Sequence, residues 1–173
     1  MRDVGSTRLH LVPDYIPGLD GLRAWAVLLV VAFHARVIPG GFVGVDVFFV
    51  LSAFLITRIL FRELEQAGQI RLARFYQRRF VRLGPALALF LLAYVATAPL
   101  IWPDHPHVGD AVLALFYLSD YSFAFFGRPQ YLQHTWSLAV EEQFYLIWPL
   151  LLPLLLRLKR PMLALAMGYV AVL

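Results

Sequence analysis

Cysteine is absent from the 173 residues, which excludes disulfides and thiolate-held metal centres. Charge is scarce as well: 15% of the residues are charged, against about 25% in soluble domains. Lysine almost vanishes, because Lys159 is the single lysine among fifteen basic residues. The net charge of +4 therefore rests on arginine. Arg58, Arg62, Arg71, Arg74, Arg78, Arg79 and Arg82 fall in one short stretch. Such crowding fits one basic loop at a membrane and argues against a nucleic-acid surface. No signal segment is expected either, since residues 1–17 are mixed and the first apolar run keeps Arg23 within it.

What is present is apolar. Hydrophobic residues make up 61% of the chain, and mean hydropathy is +0.71. Apolar stretches of about 20 residues, the length that crosses a bilayer core, recur along the sequence. The pattern predicts an all-α integral membrane protein, a polytopic helix bundle seated in the lipid bilayer. Four complete spans are expected at 19–37, 42–61, 83–102 and 136–156. Residues 162–173 read as the start of a truncated fifth, and residues 1–173 as the N-terminal part of a single membrane domain.

Orientation follows from the arginines. They flank the gap between the second and third spans, whereas the 103–110 loop carries Asp104 and Asp110. Basic loops stay inside, which predicts a cytoplasmic 62–82 segment and N-terminus. A full crossing by 111–126 would carry the basic run RLKR at 157–160 to the outside. That stretch is short and holds Ser119, Asp120 and Ser122, so it reads as a re-entrant or surface helix on the outer side.

Ionisable groups inside spans are costly and usually face a bundle interior or a wet cavity. Arg23 and His34 lie in the first span, almost three whole turns apart, and so project from one face about 16 Å apart along the axis. Arg23 sits toward the cytoplasm and His34 toward the outside. Asp46 in the second span and Glu141 with Glu142 in the fourth are expected at the depth of His34, roughly 7–9 Å below the outer boundary. An imidazole with carboxylates at its level suits general-base chemistry, the acid holding the tautomer. Blander roles exist for each. Arg23 can snorkel to headgroups, His34 can bond within the bundle, Asp46 can bond a backbone amide, and the two glutamates can serve the helix dipole.

Arg78, Arg79 and Arg82 precede the third span, and Arg79 and Arg82 share a face at i,i+3 spacing. Arginine forks grip phosphate bidentately, which suits a phosphorylated donor such as an acyl-coenzyme A. Anchoring to anionic lipid is the commoner use of arginines at such a boundary. Trp102, Tyr131, Trp136 and Trp148 fit aromatic interface belts. His105 and His107 are two apart in a Pro-containing loop with few partners, which is too little for a metal site. No metal is expected.

Four stretches carry a resemblance: LDGLRAWAVLLVVAFHA at 19–35, GGFVGVDVFFVLSAFLIT at 40–57, FYQRRFVRLGPALAL at 75–89 and HTWSLAVEEQFYLIWPLL at 134–151. In that order they resemble membrane acyltransferase family 3, which includes O-antigen, exopolysaccharide and macrolide O-acyltransferases. The resemblance implies that Arg23 and His34 are the family's arginine–histidine pair, His34 being the base. It implies donor binding by Arg79 and Arg82, and it matches Trp136, Ser137, Leu138 and Glu141 to the family's tryptophan-serine-leucine and glutamate motif. One departure is visible, since Ser52 precedes Ala53 where the family often has Ser-Gly.

The resulting expectation is an O-acyltransferase of a bacterial inner membrane with no bound cofactor. It would use acyl-CoA, acetyl-CoA above all, as co-substrate, and a carbohydrate or lipid-linked glycan as acceptor. His34 would activate the acceptor hydroxyl, directly or through an acyl-histidine, and Asp46 or Glu141 would hold its tautomer. Two other classes stand beside this reading. One is a polytopic transporter, since intramembrane Arg, His and acids also build proton relays. The other is an inactive truncated fragment.

Overall fold

The computed structural model describes residues 16–158; the apolar run at 162–173, with Lys159 and Arg160, lies outside the described residues. Six helices follow one another, and no strand occurs among the described residues. They are α1 (Pro17–His34), α2 (Val43–Ala67), α3 (Leu72–Ile101), α4 (His107–Leu115), α5 (Ser119–Phe126) and α6 (Thr135–Leu156). The chain divides into two compact units, Met1–Leu51 and Ser52–Leu173, with the boundary inside α2.

In the first unit, Pro17 opens α1, a position where a missing N–H costs nothing. The helix stops where Arg36 adopts φ 60°. Val37 N–H donates to Ala32 O at 2.8 Å and Arg36 N–H to Phe33 O at 2.9 Å, the bond pair of a Schellman stop. Such a stop usually takes glycine, because a side chain in the left-handed region is disfavoured. The turn returns the chain so closely that a methyl on Gly41 would strike the Leu29 carbonyl oxygen. A methyl on Gly44 would strike that of Ala26, itself 1% exposed. Small residues on facing helices permit this backbone approach. Gly44→Ala should therefore cost about 1–3 kcal/mol, the usual range for overpacking. A lowered melting temperature of the chain in detergent is the expected reading, and an unchanged one would show that the two helices separate freely.

In the second unit, α3 runs antiparallel to α6. Tyr76 Oη donates to Leu146 O at 2.7 Å, and the rings of Phe90 and His134 lie 5.8 Å apart. The lower part of α2 runs parallel to α6, with Ser52 bonded to Glu141 and Trp148 Nε1 donating to Thr57 Oγ1 at 2.8 Å. The three helices close on a core of Ile56, Leu60, Phe75, Tyr145 and Leu152. A second core, Leu91, Ala111, Ala114 and Leu132, joins the far half of α3 to α4.

Among the described residues, three helices, α2, α3 and α6, are long and apolar enough to cross a membrane. Large side chains such as Phe80, Leu89, Leu92 and Leu100 stay exposed on α3, as lipid-facing surfaces do. The chain is a helical membrane protein. α1, at 18 residues and about 27 Å, is shorter than a bilayer core of about 30 Å. It also carries Asp20, Arg23 and His34, and it is not among the three.

Two expectations are corrected. The segment at 62–82 read as one basic loop is mostly helix, because arginine, leucine and glutamate are good helix formers; only 68–71 links α2 to α3. The single short helix read over 111–126 is two, α4 and α5, broken where Tyr117 takes φ 54°. Tyr117 O is occupied there by Gln143 Nε2 at 2.8 Å.

Candidate active site

Depth along the bundle departs from the sequence expectation. His134, at the start of α6, stands beside Phe90, eleven residues before the end of α3. α6 therefore begins about 16 Å short of the α3 terminus. α4 and α5 fill the difference, tied to α6 by Thr135 Oγ1 donating to Ser119 Oγ at 2.8 Å and Gln143 Nε2 donating to Asp120 Oδ1 at 3.0 Å. The first turns of α6 are thus sunk into the bundle, and its acids meet an arginine assigned to the opposite side. Arg79 Nη2 donates to Glu142 Oε1 at 3.3 Å. The Arg79 guanidinium carbon also lies 3.2 Å from the centre of the Tyr145 ring, close enough for a strong cation–π contact.

Tyr145 continues the chain of contacts. Its hydroxyl and that of Ser52 both donate to Glu141 Oε1. Ser52, Glu141, Tyr145, Arg79 and Glu142 form one polar line through an otherwise apolar interface. A cleft of about 170 Å³ opens beside it, lined by Tyr76, Arg79, Phe80, Tyr117, Glu142 and Tyr145 among others. The Nε of Arg79 is buried without a hydrogen-bond partner. A guanidinium with one donor idle, next to a small cleft, can accept an incoming anion or carbonyl oxygen.

The other expected residues lie as follows. Arg78 turns away from this line and lines a second cleft with Arg71 and Arg74. Arg82 is exposed, so the arginines expected to act together point to different surroundings. Ser137 Oγ donates to His134 O at 3.2 Å in the first turn of α6. Trp136 is half-buried in the same turn. In the first unit, Arg23 pairs with Asp20 at 3.5 Å. Asp46 is exposed in the first turn of α2, where the helix dipole favours an acid. His34 is exposed, and its Nδ1 lies 2.8 Å from Val30 O. A carbonyl only accepts, so Nδ1 carries the hydrogen and Nε2 presents its lone pair. Within the first unit, the carbonyl four residues back sets this tautomer.

Sequence reasoning left out Tyr145 and gave Glu142 no role of its own. A signal existed for Tyr145, which is four residues from Glu141 and hence on its face. It also missed a clasp on the far side of the second unit. There Asp110, 0% exposed, accepts from His105 Nε2 at 2.7 Å, from Arg128 Nη2 at 2.8 Å and Nε at 3.2 Å, and from Gln130 N–H at 3.0 Å. Burial alone would raise the Asp110 pKa, but the bonds from His105 and Arg128 outweigh it and hold the carboxyl below its ordinary value. His107 bonds Tyr94 Oη at 2.9 Å and donates to Trp102 O at 2.7 Å.

A helical membrane bundle with an arginine–acid–tyrosine line inside it is the class of protein that fold and site define. The acyltransferase domain of family 3 matches residues 16–173, and the chain belongs to that family. It is 43% identical over 167 residues to the peptidoglycan O-acetyltransferase OatA of Listeria monocytogenes, a match covering 87% of this chain and 26% of that protein. It is 44% identical over 163 residues to the O-acetyltransferase OatA of Staphylococcus aureus, covering 86% of this chain and 26% of that protein. The chain thus spans about a quarter of the length of these curated relatives. No solved structure matches it.

Proposed function

We propose that the protein is a membrane-bound O-acyltransferase that moves an acetyl group from acetyl-CoA to a hydroxyl of an extracytoplasmic carbohydrate, peptidoglycan in particular. The observation that carries this is the 43% identity, over 87% of the chain, to a protein named a peptidoglycan O-acetyltransferase. In this reading α1 is a fourth span, the N-terminus faces the cytoplasm, and the membrane is the bacterial cytoplasmic one. His34 Nε2 takes the proton of the acceptor hydroxyl, and the oxygen attacks the thioester carbonyl. The carbon–sulfur bond breaks, and the departing thiolate takes the proton back from His34. Arg23, on the same helix, and Asp46 adjust the charge around that step. Glu141, held by Ser52 and Tyr145, stiffens the entry to α6 next to Trp136 and Ser137. Arg79, with Arg78 and Arg82, meets the donor, and the Arg79–Glu142 pair opens to admit it.

Transfer of radiolabelled acetyl from acetyl-CoA to peptidoglycan, by membranes containing the full-length gene product, tests the reaction; no label in the glycan overturns it. The donor role has its own test. Lysine keeps the charge of arginine but lacks its planar pair of donors, and it cannot stack on Tyr145 as a guanidinium does. Arg79→Lys combined with Arg82→Lys should raise the acetyl-CoA Michaelis constant at least about tenfold, roughly 1.4 kcal/mol, with protein abundance unchanged. Wild-type dependence on donor concentration would return both residues to lipid anchoring.

A further inference from the structure

The last turns of α2 and the first turns of α3 enclose a cleft of about 440 Å³, lined by Ile59, Glu63, Gln66, Arg71, Arg74 and Arg78 among others. It is apart from the Arg79 line, because Arg78 and Arg79 are successive residues on diverging faces of α3. The spacing of Arg71, Arg74 and Arg78 is three and then four residues, which sets all three on one face over about 10 Å of axis. All three are exposed, and none pairs with an acid among the described residues. Like charges at these spacings repel, and the one carboxylate in the cleft, Glu63, has its Oε2 buried without a partner. Three cations against one acid leave the cleft two charges positive.

Among the described residues this face lacks a counter-anion, and the donor set says which kind. Guanidinium forks match phosphate oxygens in pairs. Gln66 adds an amide, while Ile59 and Ala67 supply apolar wall. The volume is that of a small-molecule site. We infer that this cleft binds a phosphate-bearing anion through Arg71, Arg74 and Arg78. The phosphate comes from a soluble nucleotide-like ligand or from a lipid headgroup. The site shares only Arg78 with the donor reading, and it is read by binding, so it stands or falls separately from acyl transfer.

The full chain in phosphatidylcholine nanodiscs is titrated with inorganic pyrophosphate. Arg71→Gln with Arg74→Gln should weaken binding at least about tenfold, and Arg157→Gln, exposed at the end of α6, should leave it within about twofold. Glu63→Gln, which removes the single like charge, should tighten it; a misfolded protein cannot give that result. If pyrophosphate does not bind the wild type, nanodiscs containing labelled phosphatidylglycerol serve as the second arm. Loss of that lipid's enrichment around the Arg71→Gln, Arg74→Gln protein assigns the site to a headgroup. Two results overturn the inference: neither probe responds to the double substitution, or Arg157→Gln loses pyrophosphate as fully as the double variant does.

Discussion

His34→Ala in the full-length gene product should lower acetyl transfer about a thousandfold, within the range that a positioned general base contributes. The expectation rests on the geometry of α1. Nδ1 of His34 is engaged by Val30 O at 2.8 Å, so the ring is fixed as the tautomer whose Nε2 accepts protons. The residue is exposed in the last turn of its helix, where its ring meets that of Phe33 edge-on at 5.6 Å. An exposed imidazole at a helix end is easily replaced without loss of fold. Abundance and insertion of His34→Ala should accordingly match the wild type, which separates lost chemistry from lost protein. His34→Gln is the sharper control, since it keeps an amide able to donate to Val30 O but offers no basic nitrogen. Both variants should fail alike. Normal turnover in a well-expressed His34→Ala protein would remove His34 as the base and leave the reaction without a candidate in this chain.

How far the sequence led differs from element to element, for physical reasons. The periodicity that put Arg23 and His34 on one face was legible because a single helix, α1, carries both. The bounds of α6 were close because a long apolar run after His134 admits little else. The depth of α6 was not legible. It depends on α4 and α5 wedging between the ends of α3 and α6, and such an offset is non-local. The break at Tyr117 was hidden for a different reason: a tyrosine at φ 54° carries none of the glycine or asparagine that usually marks a left-handed residue. Arg79 and Arg82 share a face by spacing, yet only Arg79 finds Glu142, 63 residues along the chain. Placing inner arginines and outer acids on opposite sides therefore failed at one residue pair. That pair now anchors the candidate site.

Asp110→Ala should destabilise the second unit by about 3 kcal/mol, the order expected when one partner of a buried, hydrogen-bonded charge pair is removed. The carboxylate is fully buried and accepts from two side chains and a backbone amide on both sides of the α4–α5 pair. Without it, His105 and the Gln130 N–H lose their acceptor, while Arg128, 39% exposed, recovers part of its loss in water. Asp110→Asn keeps the shape and one acceptor oxygen, so it should cost roughly half as much. Acid should imitate these substitutions. The folded carboxyl sits below its ordinary value, so on acidification the unfolded form takes up a proton first. The stabilisation is therefore complete at neutral pH and is lost as pH falls through the ordinary carboxylate range toward the folded pKa. Hydrogen exchange across residues 102–131 is the direct measurement. Exchange there should quicken in Asp110→Ala at neutral pH and in the wild type at low pH, while the α2–α3–α6 core around Leu60 and Tyr145 stays protected. Protection of 102–131 that ignores both the substitution and the acid would mean that the Leu91, Ala111, Ala114 and Leu132 core holds this end of the bundle without the clasp.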